Sequence, residues 1–272
     1  MRATSRLSKV SLTTVLKLLG DAGEVCLDLH DELVRNVKCQ RIECDELAHF
    51  IHTRPKNLPK AKTKNAEAGA LWTWLAIDAD SKLIVSYLAG QRSNISAEVF
   101  AADLASRVAD RVQVTSDGFP AYAGSLKKAF NGAVDHAMLI KVYANVSAPG
   151  ETRYAPLEVI KVKKRRVSGK PNLSTAGTSY VERMNLSVRM QMRRYTWLTN
   201  AHSKTYANHV YALAVYFQFY NFARVNQALG GRTPAMAAGI ADHVWSMEEI
   251  VVRMEALAPK PGPKGPRRRL AR

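Results

Sequence analysis

Long apolar runs, paired cysteines and acidic residues are scarce in this sequence, and each scarcity excludes a class of protein. No apolar stretch reaches the roughly 18 to 20 residues that span a bilayer, and the first residues lack the apolar run of a secretory signal. The 272 residues include three cysteines and no CxxC pair, which excludes a disulfide scaffold and fits a reducing cytoplasm. Acidic residues number 23 against 40 Lys and Arg, so the chain is strongly basic.

The formal net charge of +17 is concentrated in a few places. Four stretches hold 22 Lys and Arg against a single acid, and they are residues 54–64, 153–170, 183–194 and 260–272. A polyanion is the natural partner of such clusters, because each Lys or Arg that neutralises a phosphate releases condensed counterions. A solvated basic surface explains one cluster more readily than four, and no lipid anchor or long basic amphipathic helix favours a membrane. We therefore expect the chain to bind nucleic acid.

Hydrophobic periodicity divides the chain into five segments. A partial helix-turn-helix for DNA binding (1–25) is followed by a linker (26–40) and by the main α/β domain (41–222). A C-terminal helical extension (223–258) and a disordered basic tail (259–272) complete the sequence. In the first segment two short helices flank a tight turn, with Ser11 capping the second helix and Gly23 ending it. The alternating Pro and Gly of the tail predict an extended segment without a core.

The main domain opens with three strands that form an antiparallel meander. The pattern then predicts a helix at about 96–109, a fourth strand at 111–115 and a helix at 120–130. A fifth strand at 134–142 and a long late helix at 178–195 follow. The basic stretch 153–170 is expected to be a loop or a mobile hairpin. This is the element order of an RNase H-like domain, with a mixed five-stranded sheet and flanking helices.

Phosphodiester chemistry in such a domain needs carboxylates on the first strand, after the fourth strand and on the late helix. Asp45, Asp117 and Glu182 occupy these three places. Carboxylates ligate hard ions such as Mg²⁺, and two ions about 3.5 to 4 Å apart activate the attacking oxygen and stabilise the leaving one. Asp78 and Asp80 compete for the first place, but the strand order assigns them to the turn of a hairpin.

A second grouping combines side chains that commonly bind zinc. Cys39, Cys44, His49 and His52 have a central spacing far shorter than that of a zinc finger. On a strand, Cys44 and His49 also point to opposite faces, so we expect a buried cysteine and peripheral histidines rather than a metal site. By the same alternation, Glu46 should point away from the aspartate that precedes it.

Side chains that contact DNA are expected on the late helix and in the basic stretch before it. They are Arg183, Asn185, Arg189, Arg193, Arg194, Lys163, Lys164, Arg165 and Arg166. Three of them follow Glu182 by three, seven and eleven residues and so share its helix face, where they can hold phosphates beside a metal site. Val181, Leu186 and Met190 are expected to form the separate core face of that helix.

Five blocks of sequence resemble the DDE transposases of bacterial insertion sequences, most closely the insertion-sequence-one type. The blocks are DELAHFI, WLAIDADSKLIVSYLAGQRS, TSDGFPAY, TSYVERMNLSVRMQMRRYTWLTNAHSK and YNFARVNQALGGRTPAMAAGI, and the likeness extends over roughly residues 1 to 265. The resemblance implies an RNase H-like catalytic domain that cleaves and joins DNA strands with two Mg²⁺ ions, for which Mn²⁺ substitutes. Its acidic triad falls on Asp45, Asp117 and Glu182.

The resemblance also implies partners and a location. The partners are transposon ends and target DNA, bound by a homo-oligomer that forms on the DNA, with no membrane contact and no nucleotide cofactor. The implied location is the cytoplasm of a bacterium, in association with the nucleoid.

The sequence departs from this family at two positions and at its start. Ala48 stands where the family usually has an aromatic residue, and Asn226 stands where histidine is common. The helix that precedes the DNA-binding hairpin is also expected to be missing. These departures leave open a non-catalytic, sequence-specific DNA-binding protein or decayed transposase relic. A third alternative is a nuclease of the same fold that hydrolyses DNA without joining it.

Overall fold

A six-stranded mixed sheet forms the centre of the computed structural model, which describes residues 1–144, 158–197 and 200–257. The strands in chain order are β1 (Arg41–Ile51), β2 (Gly69–Asp78), β3 (Ile84–Gly90), β4 (Val112–Ser116), β5 (Val134–Ala144) and β6 (Glu158–Ser168). They lie side by side in the order β3-β2-β1-β4-β5-β6. β4 runs parallel to both of its neighbours, and the other adjacent pairs are antiparallel.

Helices cover both faces of the sheet. They are α1 (Arg2–Ser8), α2 (Leu12–Leu33), α3 (Asn94–Arg107), α4 (Ala121–Ala129), α5 (Ser179–Gln191), α6 (Tyr206–Phe222), α7 (Pro234–Ala237) and α8 (Met247–Leu257). Ser11, Ser93 and Thr205 begin α2, α3 and α6, and each hydroxyl accepts a hydrogen bond from the backbone N–H three residues on. Within the described ranges, no helix has the length and apolar character that crossing a membrane requires.

Two apolar clusters hold these layers together. On one face of the sheet, Trp74 of β2 packs against the rings of Phe100 in α3 and Tyr122 in α4. On the other face, Leu75 belongs to a cluster with Phe217 of α6 and with residues of α5. All five side chains are fully buried, and burial of each large apolar side chain stabilises the fold by about 1.5 to 3 kcal/mol.

The mixed α/β class with flanking helices is confirmed, and the predicted five-strand count is wrong by one. Residues 158–168, expected to belong to a loop or mobile hairpin, form β6, which pairs antiparallel with β5. The apolar residues of this strand are interspersed with a run of basic ones, which obscures the usual period-two pattern. Residues 145–157, the basic tail 259–272, and residues 198, 199 and 258 lie outside the described residues.

The predicted end of the second helix at Gly23 is wrong, because α2 continues to Leu33 and includes the first eight residues of the segment expected as a linker. Gly23 lies where α2 crosses α6, and a Cβ atom there would come within 2.2 Å of the Tyr211 Cβ. The missing side chain therefore allows a close helix crossing rather than ending a helix. The helix-turn-helix assignment and the domain boundaries stay predictions.

Candidate active site

The ends of two paired strands bring the two aspartates together. β1 and β4 pair in parallel only as far as Cys44 and Ser116; Asp45 is the next residue of β1, and Asp117 directly follows the end of β4. One carboxylate oxygen from each aspartate and one from Glu46 all lie within 4.8 Å of one another. Strand alternation still directs Glu46 to the other face of β1 from Asp45, but its carboxylate reaches the two aspartates all the same. Because β4 ends here, no strand separates the two faces of β1 on that side, and both carboxylates reach the same space.

A carboxylate on β1 fixes the start of the helix that carries Glu182. Glu43 accepts hydrogen bonds from the backbone N–H groups of Tyr180 and Val181, at 2.7 and 3.0 Å. A negative charge at this place satisfies free N–H groups and favours the positive end of the helix dipole. Thr178, at the N-cap position, instead donates its hydroxyl to the Glu182 carboxylate at 2.6 Å. Sequence reasoning missed Glu43, although its alternation with Asp45 places both on one face.

The three predicted carboxylates line one cavity. Asp45, Asp117 and Glu182 face a space of about 480 Å³, which Asn185 and Arg189 also line. The Asn185 amide donates a 2.8 Å hydrogen bond to Oδ2 of Asp45, and the backbone of the next strand residue donates to Oδ1. Glu182 stands outside the group of oxygens within 4.8 Å that the structure describes. The structure thus brings the triad to one cavity while holding one member slightly apart.

Two cations pair with the carboxylates of this cavity. The guanidinium of Arg92 lies 3.1 Å from Oε2 of Glu46 and 3.3 Å from Oδ2 of Asp117. The Lys141 ammonium, on β5, lies 2.5 Å from each carboxylate oxygen of Glu182. Sequence reasoning found neither cation, since each comes from an element far along the chain from its partner.

Burial and mutual repulsion raise the pKa of two of the carboxyl groups. Burial is the main cause that raises the pKa of Asp45 to about 6, and the charges of Asp117 and Glu182 act in the same direction. Burial likewise raises the pKa of Glu46 to about 7, with the charge of Asp117 adding to it. A divalent cation relieves such repulsion, and carboxylate oxygens are the ligands that Mg²⁺ prefers, so these residues fit that ion.

The late helix is shorter and turned differently from the prediction. α5 ends at Gln191, and Leu186 and Met190, expected in the core, are exposed. Val181 is buried as predicted, and Met184, Asn185 and Val188 form the rest of the buried face. Asn185 takes an interior position because the carboxylate of Asp45 lies opposite it.

The predicted DNA-contacting arginines near this helix differ in their surroundings. Arg183, Arg189 and Arg193 are exposed. Arg194 is half-buried and donates a 3.0 Å hydrogen bond to the hydroxyl of Ser203, and burial lowers the pKa of its guanidinium. The first three are therefore accessible to a phosphate, whereas Arg194 already has a partner within the fold.

The four predicted basic residues of β6 are all exposed, and strand alternation divides them between the two faces of the sheet. Lys164 and Arg166 share a face with Lys141, and Lys163 and Arg165 share the other. The α5 side of the sheet, where the cavity opens, therefore receives two of the four.

The cysteine and histidine grouping forms no metal site in the described part of the chain. Cys39 and Cys44 are buried free thiols. His49 is buried as well, contrary to the expected peripheral position, and its ring packs against Tyr195 and His209. Burial lowers the pKa of His49 to about 3, so this ring is a neutral part of the core.

No protein-family model and no curated protein matches the sequence. Among solved structures, the cryo-electron microscopy structure of a piggyBac transposase synaptic complex with hairpin DNA is similar over 81% of this chain, with 10% sequence identity and a TM-score of 0.32. This chain spans about half of that one, 52% of its length. A likeness of this size does not assign a family.

Proposed function

We propose that the protein is a transposase of the insertion-sequence type, whose RNase H-like domain cleaves and joins DNA strands with Mg²⁺. The observation that carries this proposal is the shared cavity of Asp45, Asp117 and Glu182. These residues lie on the first strand, directly after the fourth strand and on a later helix, which are the three places that the chemistry needs. The meander followed by parallel strands agrees with the RNase H-like order.

In this proposal Asp45, Asp117 and Glu182 hold the cations, and Glu46 lies close enough to contribute a further oxygen. Bound divalent ions activate an attacking water or 3′-hydroxyl and stabilise the leaving oxygen. The Asn185 amide orients one oxygen of Asp45 through a hydrogen bond. Arg92 forms ion pairs with the carboxylates of Glu46 and Asp117. The chain's own contribution is thus to fix several carboxylates against their mutual repulsion.

DNA is the proposed substrate because accessible basic groups surround the cavity. Arg189 lines the cavity itself, Arg183 is exposed on the same helix and Arg193 just after it, and Lys164 and Arg166 lie on the same face of the sheet as Lys141. Guanidinium and ammonium groups at such positions bind phosphate oxygens and offset the repulsion between DNA and the acidic cluster. Transposon ends and target DNA are the proposed partners, with an oligomer formed on the DNA.

Cleavage and joining of labelled DNA that carries the element's ends test this function. We expect nicked and joined products with Mg²⁺, none with a chelator, and a loss of about a hundredfold or more in Asp117→Asn while DNA binding persists. Asp110→Asn is the matched control, because Asp110 is an exposed acid outside the cavity lining. Equal activity of the Asp117 and Asp110 variants would sink the proposal.

A non-catalytic DNA-binding protein is the second candidate, and the ion pair between Glu182 and Lys141 favours it. That contact occupies both oxygens of one predicted metal ligand. Sequence-specific, metal-independent binding without any cleavage would support this candidate. Hydrolysis of the labelled ends without joining would instead indicate a nuclease.

A further inference from the structure

The pairing of Lys141 with Glu182 is a bridge between two elements across the cavity. Lys141 belongs to β5 and Glu182 to the first turn of α5, and the ammonium approaches both carboxylate oxygens equally. The Thr178 hydroxyl donates to one of the same oxygens. Each oxygen of Glu182 therefore already has a donor, and the carboxylate is directed toward β5 instead of joining the Asp45, Glu46 and Asp117 group.

Arg92, the second cation that pairs with carboxylates of the cavity, has more contacts than Lys141. The Arg92 guanidinium lies 3.9 Å from the ring centre of Phe119 and 5.4 Å from that of Trp72, in addition to its two carboxylate partners. Such stacking fixes a planar guanidinium. The Lys141 ammonium, in contrast, is the end of a flexible four-carbon chain that contacts a single carboxylate. Of the two cations, Lys141 is the one able to move.

The cavity gives the Lys141 ammonium room to turn away from Glu182 toward a bound anion. The Lys141 side chain lines this cavity and remains 25% exposed, and Glu182 is 39% exposed. Arg189 of α5 lines the same cavity, and Lys164 of β6 pairs with Leu139, another lining residue. A phosphate bound among them is the anion that can replace the carboxylate as the partner of the ammonium.

We propose that Lys141 is a positioning residue that holds Glu182 back in the metal-free protein and exchanges this carboxylate for a phosphate oxygen of DNA. The proposal rests on the function proposed above and adds a coupling between DNA binding and metal binding. When Glu182 is released from Lys141, it can join Asp45 and Asp117 as the third member of the triad that holds the cations. This release is favoured when a phosphate oxygen replaces Glu182 as the partner of the Lys141 ammonium. DNA therefore strengthens divalent-metal binding, and by thermodynamic reciprocity the metal strengthens DNA binding.

Mn²⁺ binding to the purified full chain tests this exchange, measured from the paramagnetic signal of the free ion at constant ionic strength. Titrations are made without DNA and with a short duplex of arbitrary sequence, and the binding of Mn²⁺ to the duplex alone is subtracted. Lys141→Met removes the charge and keeps the length, and Lys141→Arg keeps the charge. Lys161→Met is the matched control because it removes the same charge from the other face of the sheet. Lys161 pairs with Val142, the residue after Lys141, and therefore lies on the face opposite to Lys141.

Without DNA, we expect Lys141→Met to bind Mn²⁺ about fivefold or more tightly than the wild type, and Lys161→Met to stay close to the wild type. With DNA, the wild type and Lys141→Arg should gain affinity for Mn²⁺, whereas Lys141→Met should gain little. A merely structural role of Lys141 would not tighten metal binding. Thermal unfolding of each variant verifies that the fold is retained, and the neutral Lys141→Gln replaces the methionine variant if that one does not fold.

The outcomes separate this inference from the function on which it rests. If Asp45→Asn and Asp117→Asn weaken Mn²⁺ binding but Lys141→Met behaves like Lys161→Met, the exchange is overturned and the metal site stands. If neither aspartate variant changes Mn²⁺ binding, or if no variant binds the ion, the proposed function and the exchange both fail.

Discussion

The Asn185 amide donates a 2.8 Å hydrogen bond to Oδ2 of Asp45, which joins the second turn of α5 to the central strand of the acidic cluster. An acceptor in place of this donor would set two like charges against each other in a largely buried position. We expect Asn185→Asp to lower the free energy of unfolding by about 1 to 3 kcal/mol without metal at neutral pH, and Mg²⁺ to restore part of the loss. Urea unfolding with and without Mg²⁺ measures both effects.

Leu186→Asp is the control for this substitution, since Leu186 is the next residue on the helix and is 45% exposed. It adds the same charge on the solvent side and should change stability by about 0.5 kcal/mol or less. Equal losses in the two variants would contradict the contact with Asp45.

The raised pKa of Asp45 predicts a definite pH dependence of stability. The native carboxyl titrates at about 6, whereas an aspartate in the unfolded chain titrates near about 3.9, so the native state binds the proton more tightly. Its contribution to stability is present below about pH 4 and is lost as the pH rises through about 6. Asp45→Asn should therefore gain about 1 to 2 kcal/mol relative to the wild type across this window, without divalent ions.

Denaturant unfolding at several pH values checks this difference between the two proteins. The buried histidines with lowered pKa, His49 and His209, affect both proteins alike and cancel in the comparison. A difference between Asp45→Asn and the wild type that does not change with pH would contradict the prediction.

The cap that Glu43 provides to α5 should be measurable in the helix that it begins. Glu43→Ala removes the acceptor for two backbone N–H groups, and we expect a loss of about 1 to 2 kcal/mol. Glu43→Gln keeps an acceptor without the charge and should lose less. Hydrogen exchange at the amides of Tyr180 and Val181 should accelerate most in the alanine variant, and unchanged exchange there would argue against the cap.

The close crossing of α2 and α6 predicts opposite effects for two neighbouring glycines. Gly23→Ala places a Cβ 2.2 Å from the Tyr211 Cβ and should destabilise the protein by about 1 to 3 kcal/mol. Gly20→Ala, whose Cβ would lie 4.0 Å from the Tyr211 ring, should stabilise it by up to about 1 kcal/mol through helix propensity. Thermal unfolding of the two variants measures the contrast, which would vanish if the helices were not packed at Gly23.

Patterns within single segments of the sequence predicted most of the strands. Alternation predicted β1, and composition predicted β2 to β5, while the change from a short strand to a turn marked Asp117 as a strand-end carboxylate. β6 was missed because its run of lysines and arginines resembles a solvated loop until a neighbouring strand pairs with it. Pairing across a sheet is a property of two segments, and a single segment does not display it.

The contacts that surround the predicted triad were the least visible in the sequence. Glu43 lies 138 residues from its partner Val181, Arg92 lies 46 from Glu46, and Lys141 lies 41 from Glu182. No helical or strand period links residues so far apart. The phase of α5 was misjudged for the same reason, because Asn185 takes a buried position only on account of a distant carboxylate that faces it.

β6 lies at one edge of the described sheet, and its side chains from 159 to 166 are all exposed. An edge strand of this kind offers backbone donors and acceptors to a strand from another molecule, and the exposed Val159, Ile160 and Val162 favour such self-association. Lysine and arginine side chains along the edge oppose it, because two identical strands would bring their positive charges together. Neutralising β6 is thus expected to make the protein prone to aggregate, in addition to weakening the proposed binding of DNA.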